Sequence, residues 1–449
     1  MKSYFLPICC AWIVTAAQAQ PVSRAVSLPE ALRLSIANST ALKKNQLDRD
    51  ALENRMKEGK SALLPQVNAR FGMDYLPGLP TTFLPANVLD EPGGYIATTL
   101  GQPWQFAGSV RVEQLVFDEA ARRMAPAANV SRSLYDLLAD KTESEVLFQT
   151  ASVFYQTLQT EKLLGAVNAN IARLEALERN AQLQLDNGYA VPTDVKRVRV
   201  ARTNLESQRY NLQTGVQALQ QTLQFLCGIP FEEAISLSDD SATPGADSAR
   251  WQTLSLDLEN TVEHRLLQRQ IELNRIQTRS LRGEIVPKIS AYATAGILAQ
   301  RTDANFFAER QRWYGLAAVG FQVEVPLFDG FRNRRKTAGM VIERRKIEED
   351  LRLLGQAKNL EFLQAGGRFR GALQTLRTQA ENTALAREIA EKLALQYKEG
   401  AISLTDLLGA QTALAEAETQ YWQQVFHYKL AVLNLLKATG NTGLIMQGE

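Results

Sequence analysis

Two carboxylates set beside threonines are the residues whose spacing invites a chemical reading. Thr193-Asp194 and Thr405-Asp406 stand 212 residues apart, each five residues beyond a glycine, Gly188 and Gly400. A carboxylate at the start of a helix accepts hydrogen bonds from free N–H groups of the first turn and complements the helix dipole, worth ~1 kcal/mol. Catalysis is not indicated. His264 and His427 are the only histidines and fall in separate helical tracts, and Cys227 is the one cysteine outside an N-terminal apolar run. No phosphate-binding glycine-rich loop and no pocket-like pairing of carboxylates accompanies them, so neither an enzyme, a cofactor nor a metal centre is expected.

The two Thr-Asp pairs sit in stretches that match each other. With the 212-residue shift, Val195 falls on Leu407, Ala201 on Ala413, Glu206 on Glu418 and Gln208 on Gln420. A fixed-offset match over half the chain means a duplicated architecture. Each copy also interrupts a helical tract: Asn187-Gly188 and Glu399-Gly400 supply the left-handed residue that ends one helix, and the Thr-Asp pairs are expected to cap the next. Each stretch therefore reads as the tip of a helical hairpin.

The tracts that carry the tips are long. No proline occurs between Pro126 and Pro192 or after Pro326, and both intervals are rich in good helix formers. Some sixty residues of helix would reach ~100 Å. Leu147, Ala151, Phe154 and Leu158, then Ile171, Leu174, Leu177, Ala181 and Leu185, recur at spacings of three and four; Leu373, Leu376, Ala380, Leu385, Ile389 and Leu393 do the same in the second half. Such narrow stripes belong to helices packed side by side in coiled-coil fashion.

Four further segments have period two. Val67, Ala69, Phe71, Met73 and Tyr75 alternate with Asn68, Arg70, Gly72 and Asp74; Val110 and Val112 alternate with Arg111 and Glu113. Ile289, Ala291, Ala293, Ala295 and Ile297, and Val319, Phe321, Val323 and Val325, complete the set. These are strands with one apolar and one polar face. Tyr75, Trp104, Phe106, Phe117, Tyr292, Trp313, Tyr314 and Phe328 cluster near the strand ends, as an aromatic girdle would. The long connections 76–105 and 299–315 are expected as loops on one exposed end.

Composition bounds the class. With 449 residues, 45% hydrophobic, 22% charged and a net charge of +2, the chain has material for a large core and no bulk charge for nucleic acid. Met1, Lys2, the apolar run Pro7 to Val14 and Ala17-Gln18-Ala19 form a secretory signal, 1–19, so the mature chain is expected to begin at Gln20. No later stretch is apolar enough for a membrane-spanning helix. A membrane role must rest on the strands, and because four strands cannot close a barrel while lipid tolerates no open edge, such a sheet requires oligomerisation.

Ser27-Leu-Pro-Glu-Ala-Leu-Arg-Leu, Leu64-Pro-Gln-Val, Val286-Pro-Lys-Ile, Val325-Pro-Leu-Phe-Asp-Gly-Phe and the two Gly-x4-Thr-Asp tips together resemble the TolC family of outer-membrane efflux proteins, over nearly all of the mature chain. The resemblance implies a mainly α fold with a membrane β-barrel portion: a homotrimer whose subunits each give four strands to a twelve-stranded barrel in outer-membrane lipid, continued by a periplasmic α-helical barrel of long hairpins. It implies an export channel for drugs, metals or type I secreted proteins, served by a periplasmic adaptor and an inner-membrane pump. Asp194, Asp406, Tyr397 and Thr193 then match the periplasmic gate, where three-fold symmetry would make each aspartate a cation-attracting ring, and Gly188 and Gly400 mark tips that an adaptor would touch. Two positions depart from the family: Gly409 stands where members carry a second aspartate, and Ile402 where they carry a locking arginine. The expected organisation is a first repeat 20–227, a polar link 228–252, a second repeat 253–439 and a tail 440–449. A periplasmic adaptor or coiled-coil scaffold is the alternative that also uses helical hairpins, but it has no need of two-faced strands.

Overall fold

The computed structural model describes residues 24–85, 94–189, 191–238, 248–308 and 312–447. The signal 1–19, with Cys9 and Cys10, lies outside them, as do Asp239, Asp240, Pro244 and Gly245 of the polar link. In chain order the elements are β1 (Arg24–Val26), α1 (Leu28–Asn38), α2 (Thr40–Ser61), β2 (Gln66–Tyr75), β3 (Thr81–Pro85), β4 (Tyr95–Thr99), β5 (Trp104–Phe117), α3 (Glu119–Met124), α4 (Ala127–Asp186) and α5 (Pro192–Cys227). There follow β6 (Ile235–Leu237), α6 (Ser248–Gln252), α7 (Val262–Leu281), β7 (Lys288–Arg301), β8 (Tyr314–Glu324), α8 (Arg332–Lys398), α9 (Leu404–Ala438) and a 3-10 turn, Thr442–Gln447. The chain divides into two compact units, each drawing on both halves of the sequence.

One unit, residues 45–138 and 265–353, is built on a four-stranded antiparallel sheet in the order β2-β5-β7-β8. The period-two alternation fixes its register. Val67, Val112, Ala293 and Val319 form one cross-strand row, and Asn68, Arg111, Thr294 and Ala318 form the neighbouring row on the opposite face. The apolar face is bare: Val67 is 65% exposed, Phe71 68% and Val319 87%. A water-facing sheet would cover such a patch with a helix. On the polar face the Arg111 guanidinium lies 4.6 Å over the Tyr292 ring and 3.2 Å from Glu113.

The aromatic residues group largely as expected, with Tyr75 against Trp104 at 4.7 Å and Phe106 against Trp313 at 5.3 Å. Tyr292 is the exception, since the alternation places it on the polar face beneath Arg111. The stretch 76–105 expected as a loop contains two strands, β3 and β4, paired antiparallel; residues 86–93 lie outside the described residues.

In this unit α3 is stapled by Glu119, 7% exposed, which accepts from Arg122 at 2.6 Å and from Arg123 at 2.7 Å. These two guanidinium groups hold the Glu119 carboxyl down to about 2. A depressed carboxylate contributes stability above its unfolded value, near 4.5, and loses it as pH falls toward 2. Glu119→Gln is therefore expected to melt lower than the parent at pH 7, with the two melting curves converging as the pH approaches 2.

The other unit, residues 1–44, 139–264 and 354–449, buries the stripes of the long helices. Leu147, Ala151, Phe369, Leu373, Leu376 and Tyr428 share one core with Leu32, Trp251 and Ile445, so α1, α6 and the 3-10 turn pack on the hairpin helices. β1 and β6 pair in parallel, joining the start of the chain to the link between its halves. Cys227 is fully buried below the α5 cap Gly228, and burial pushes its thiol up to about 11, which makes it a core filler. The second stripe departs from expectation. Leu385 is 58% exposed and Ile389 53%, whereas Thr383 and Ala390 face inward. Among the described residues no helix is long and apolar enough to cross a membrane.

Candidate gate at the hairpin tips

Both tips close with the same backbone device. Gly188 and Gly400 have φ of 79° and 73°, a region costly for any residue with a Cβ. The Gly188 N–H donates to Leu185 O at 2.9 Å and the Tyr189 N–H to Gln184 O at 2.8 Å; Gly400 and Ala401 repeat this with Tyr397 O at 3.0 Å and Gln396 O at 2.9 Å. This is the Schellman arrangement, which satisfies the last carbonyls of a helix.

The returning helices begin differently from the expectation and from each other. Neither threonine caps. α5 starts at Pro192 after Val191 with no side-chain cap, and Asp194 sits in its first turn beside the helix dipole. The cap of α9 is Ser403: its Oγ accepts from the Asp406 N–H at 3.2 Å, while its own N–H and hydroxyl donate to Asp406 Oδ2 at 3.3 and 2.6 Å. Ser403 corresponds to Val191 under the 212-residue shift, so only the second tip has this reciprocal capping box.

Between the hairpins lies an apolar cluster of Leu174 and Leu177 from α4, Val198 from α5 and Leu404 and Leu407 from α9, joined by Tyr397 and Ile402. Among the described residues two polar ties cross it. The Tyr397 hydroxyl donates to Gln184 Oε1 at 2.9 Å, linking α8 to α4. Arg197 Nη1 donates to Thr405 Oγ1 at 3.0 Å and lies 4.0 Å from Asp194 Oδ1, linking α5 to α9. Burial, and secondly the charge of Asp194, push the Tyr397 hydroxyl above its usual value of 10.0. The charge of Asp194 thus reaches Tyr397, whereas among the described residues exposed Asp406 engages only the start of its own helix. Among the described residues no hydrogen bond joins Thr193 to the second hairpin.

Arg197 and Gln184 were not singled out from sequence, and Thr405 was expected as a cap and not as an acceptor for Arg197. The signal was available for Arg197, whose duplicate position is Gly409. Gly409 is exposed with open space around its Cα, and Ile402 packs into the apolar cluster, so the two departures from the family pattern remove charge without leaving a polar group unpaired. Further along the hairpins Glu418, 7% exposed, accepts from Arg173 at 3.3 Å, Arg387 at 3.1 Å and Asn170 at 3.5 Å, tying α4, α8 and α9 at one point. Its duplicate, Glu206, binds only Arg202 of its own helix among the described residues, at 2.6 Å. Between Arg387 and Tyr397 an open groove of about 400 Å³ separates α4 from α8, with Leu407 and Leu414 on its floor.

Residues 260–441 match the family described as outer membrane efflux protein. TolC of Escherichia coli K12 is 22% identical across 93% of this chain and 83% of its own length. The chain is similar to TolC-like outer-membrane efflux proteins over nearly its whole length. The protease secretion protein PrtF of Dickeya chrysanthemi is 25% identical over 69% of this chain and 65% of its own length. Among solved structures, CusC has the same fold with a TM-score of 0.71, 15% identity and 93% of each chain covered. VceC from Vibrio cholerae gives 0.68, with 13% identity, 92% of this chain and 96% of that one. The bare-faced sheet and the long hairpins are the β-barrel and helical-barrel portions of this mainly α fold. This TolC-like protein is located in the outer membrane and extends into the periplasm, which sets aside the adaptor and scaffold reading. It is an outer-membrane efflux channel.

Proposed function

We propose that this TolC-like chain works as a homotrimeric, passive conduit of a tripartite export system, its twelve-stranded barrel continued by a helical barrel that is gated at the hairpin tips. The observation that carries the gate is the pair of polar ties across the apolar tip cluster, Tyr397 to Gln184 and Arg197 to Thr405. The trimer is supported by what one subunit leaves open. Among the described residues β2 and β8 are unpaired edges, which lipid does not tolerate, and Leu385 and Ile389 stand exposed on α8 where a neighbouring helix would cover them. A periplasmic adaptor would engage the tips around Gly188 and Gly400, and an inner-membrane pump would supply cargo. The family match is to an efflux protein and one relative is a protease secretion protein, which supports an export conduit for either small-molecule or protein cargo.

Three-fold symmetry turns exposed Asp406 and half-buried Asp194 into rings at the mouth, and rings of carboxylates attract cations. Single channels in planar bilayers should be blocked by millimolar divalent cations, and Asp406→Ala should lose most of that block. Unchanged block in both Asp406→Ala and Asp194→Ala would remove the aspartates from the lumen.

A further inference from the structure

The duplicated strand-to-helix junctions differ in a way that the channel reading does not require. In the first, Phe117-Asp118 is followed by Glu119, Ala120, Arg122 and Arg123, and Glu119 neutralises both arginines. Aligning Asp118 with Asp329 puts Gly330 in place of Glu119 and Phe331 in place of Ala120, and the run continues Arg332, Asn333, Arg334, Arg335, Lys336. Among the described residues exposed Arg332, Arg334 and Arg335 carry no ion pair, and Lys336 alone reaches an acid, Glu284, at 3.6 Å.

The apolar surface also runs on into this junction. Beyond the bare face of β8, Leu327 is 92% exposed and Phe328 77%, and Phe331 packs edge-on to Phe328 at 5.5 Å. Phe331 has a φ of 63°, and it is the only non-glycine with positive φ among the described residues. A bulky residue held there is strained, a state that persists only where its surroundings impose it. The imposing contacts are visible: Asn333, buried, donates its N–H to Asp329 Oδ2 at 2.8 Å and its side-chain amide to Leu281 O. The segment is thus fixed with two rings outward and three free guanidinium groups beside them.

We propose that the junction between β8 and α8 seats the headgroup phosphate of an anionic phospholipid in the periplasmic leaflet of the outer membrane. The rings enter the edge of the acyl region, continuing the lipid-facing side of the sheet, and the guanidinium forks meet the phosphate in the geometry that suits them. The helices leave the sheet at this end, which places it on the periplasmic side. Cations beside an anionic surface each strengthen binding roughly fivefold, so three are worth on the order of a hundredfold. The first junction, neutralised by Glu119, has no such preference.

Native mass spectrometry of the detergent-solubilised full chain, titrated with phosphatidylglycerol and with phosphatidylcholine of the same acyl chains, tests this. The parent should retain phosphatidylglycerol at least tenfold better. Arg332→Gln/Arg334→Gln/Arg335→Gln should weaken phosphatidylglycerol by about a hundredfold with phosphatidylcholine unchanged, and Phe328→Ala/Phe331→Ala should weaken both lipids. Removing the same charge at Lys346, Arg352 and Lys392 should leave both unchanged. Equal retention of the two lipids by the parent, or full phosphatidylglycerol affinity in the triple arginine variant, overturns the proposal. An arginine variant of smaller assembled mass than the parent also overturns it, because the patch would then be a seam between copies of the chain.

Discussion

Gly296→Val should keep the protein out of the outer membrane, while Gly72→Val should leave it there. Both glycines lie inside strands of the same sheet and on the same, polar face, β7 and β2 respectively. By propensity alone valine improves either strand, since β-branched residues suit a pleated surface. Space decides otherwise. A Cβ on Gly296 would stand 2.7 Å from the Gly108 carbonyl oxygen and 3.2 Å from Ser109 Cβ, whereas one on Gly72 meets nothing within 4 Å. The obstruction at Gly296 is backbone of the neighbouring strand and cannot rotate away, so the two central strands must separate. Overpacking of this kind costs about 3 kcal/mol or more when no side chain can yield. Outer-membrane fractionation and the heat-modifiable gel mobility of the oligomer read the result: Gly296→Val lost from the membrane, Gly72→Val present at parent level. Normal assembly of Gly296→Val would mean that β5 and β7 are not paired in the register described.

What the sequence disclosed followed from periodicity, which reports burial wherever one subunit completes its own packing. Val67 to Tyr75 and Ile289 to Ile297 showed their alternation because each has one face in lipid and one in water. Leu147, Ala151 and Phe154 showed theirs because the partner helices belong to the same chain. The stripe failed at Leu385 and Ile389, where periodicity marks an apolar face but cannot say whose surface covers it. Turn chemistry misled in two places. The prolines and glycines of residues 76–105 read as loop although β3 and β4 pair there, and Thr405 read as a cap although Ser403, two residues earlier, has the extended backbone that capping needs. Glu418 and its arginines were invisible, because their partners are 31 and more than 240 residues away in sequence.

The duplication itself was legible, but its use was not. Three of the matched positions have diverged: in charge at Glu119 against Gly330 and at Arg197 against Gly409, and in capping polarity at Val191 against Ser403. The tips keep the same closing turn while their caps and charges differ, and the junctions differ in both backbone and charge. One fold copied twice can thus close its tips by the same local geometry while, on the readings proposed above, assigning lipid contact to one junction and cross-hairpin bonding to one helix.

That asymmetry bears most on the mouth of the channel. On the gate reading proposed above, Tyr397→Phe and Arg197→Met should each raise the open probability of single channels, and the double variant should stay open. The apolar cluster of Val198, Leu404 and Leu407 contributes more to packing, at roughly 1.5–3 kcal/mol per buried side chain, yet it does not set the register. Apolar contact is non-directional and survives a slide of one hairpin along the other, whereas a hydrogen bond does not. Each tie is worth about 0.5–1.5 kcal/mol net. Two ties in each of three subunits therefore total roughly 3–9 kcal/mol, enough to span the ~5.5 kcal/mol that carries a two-state equilibrium from almost wholly closed to almost wholly open. One tie removed in all three subunits covers about half of that, which predicts flickering single variants and a fixed-open double. The Tyr397 tie also predicts a pH response. A hydroxyl whose value is raised in the folded state contributes below the unfolded value of 10.0 and is lost as pH rises through the folded one, so the parent should hold closed at pH 10 and loosen only above it. Tyr397→Phe should lack that alkaline step. Double-variant channels that gate like the parent at neutral pH would sink the assignment of these ties to the gate.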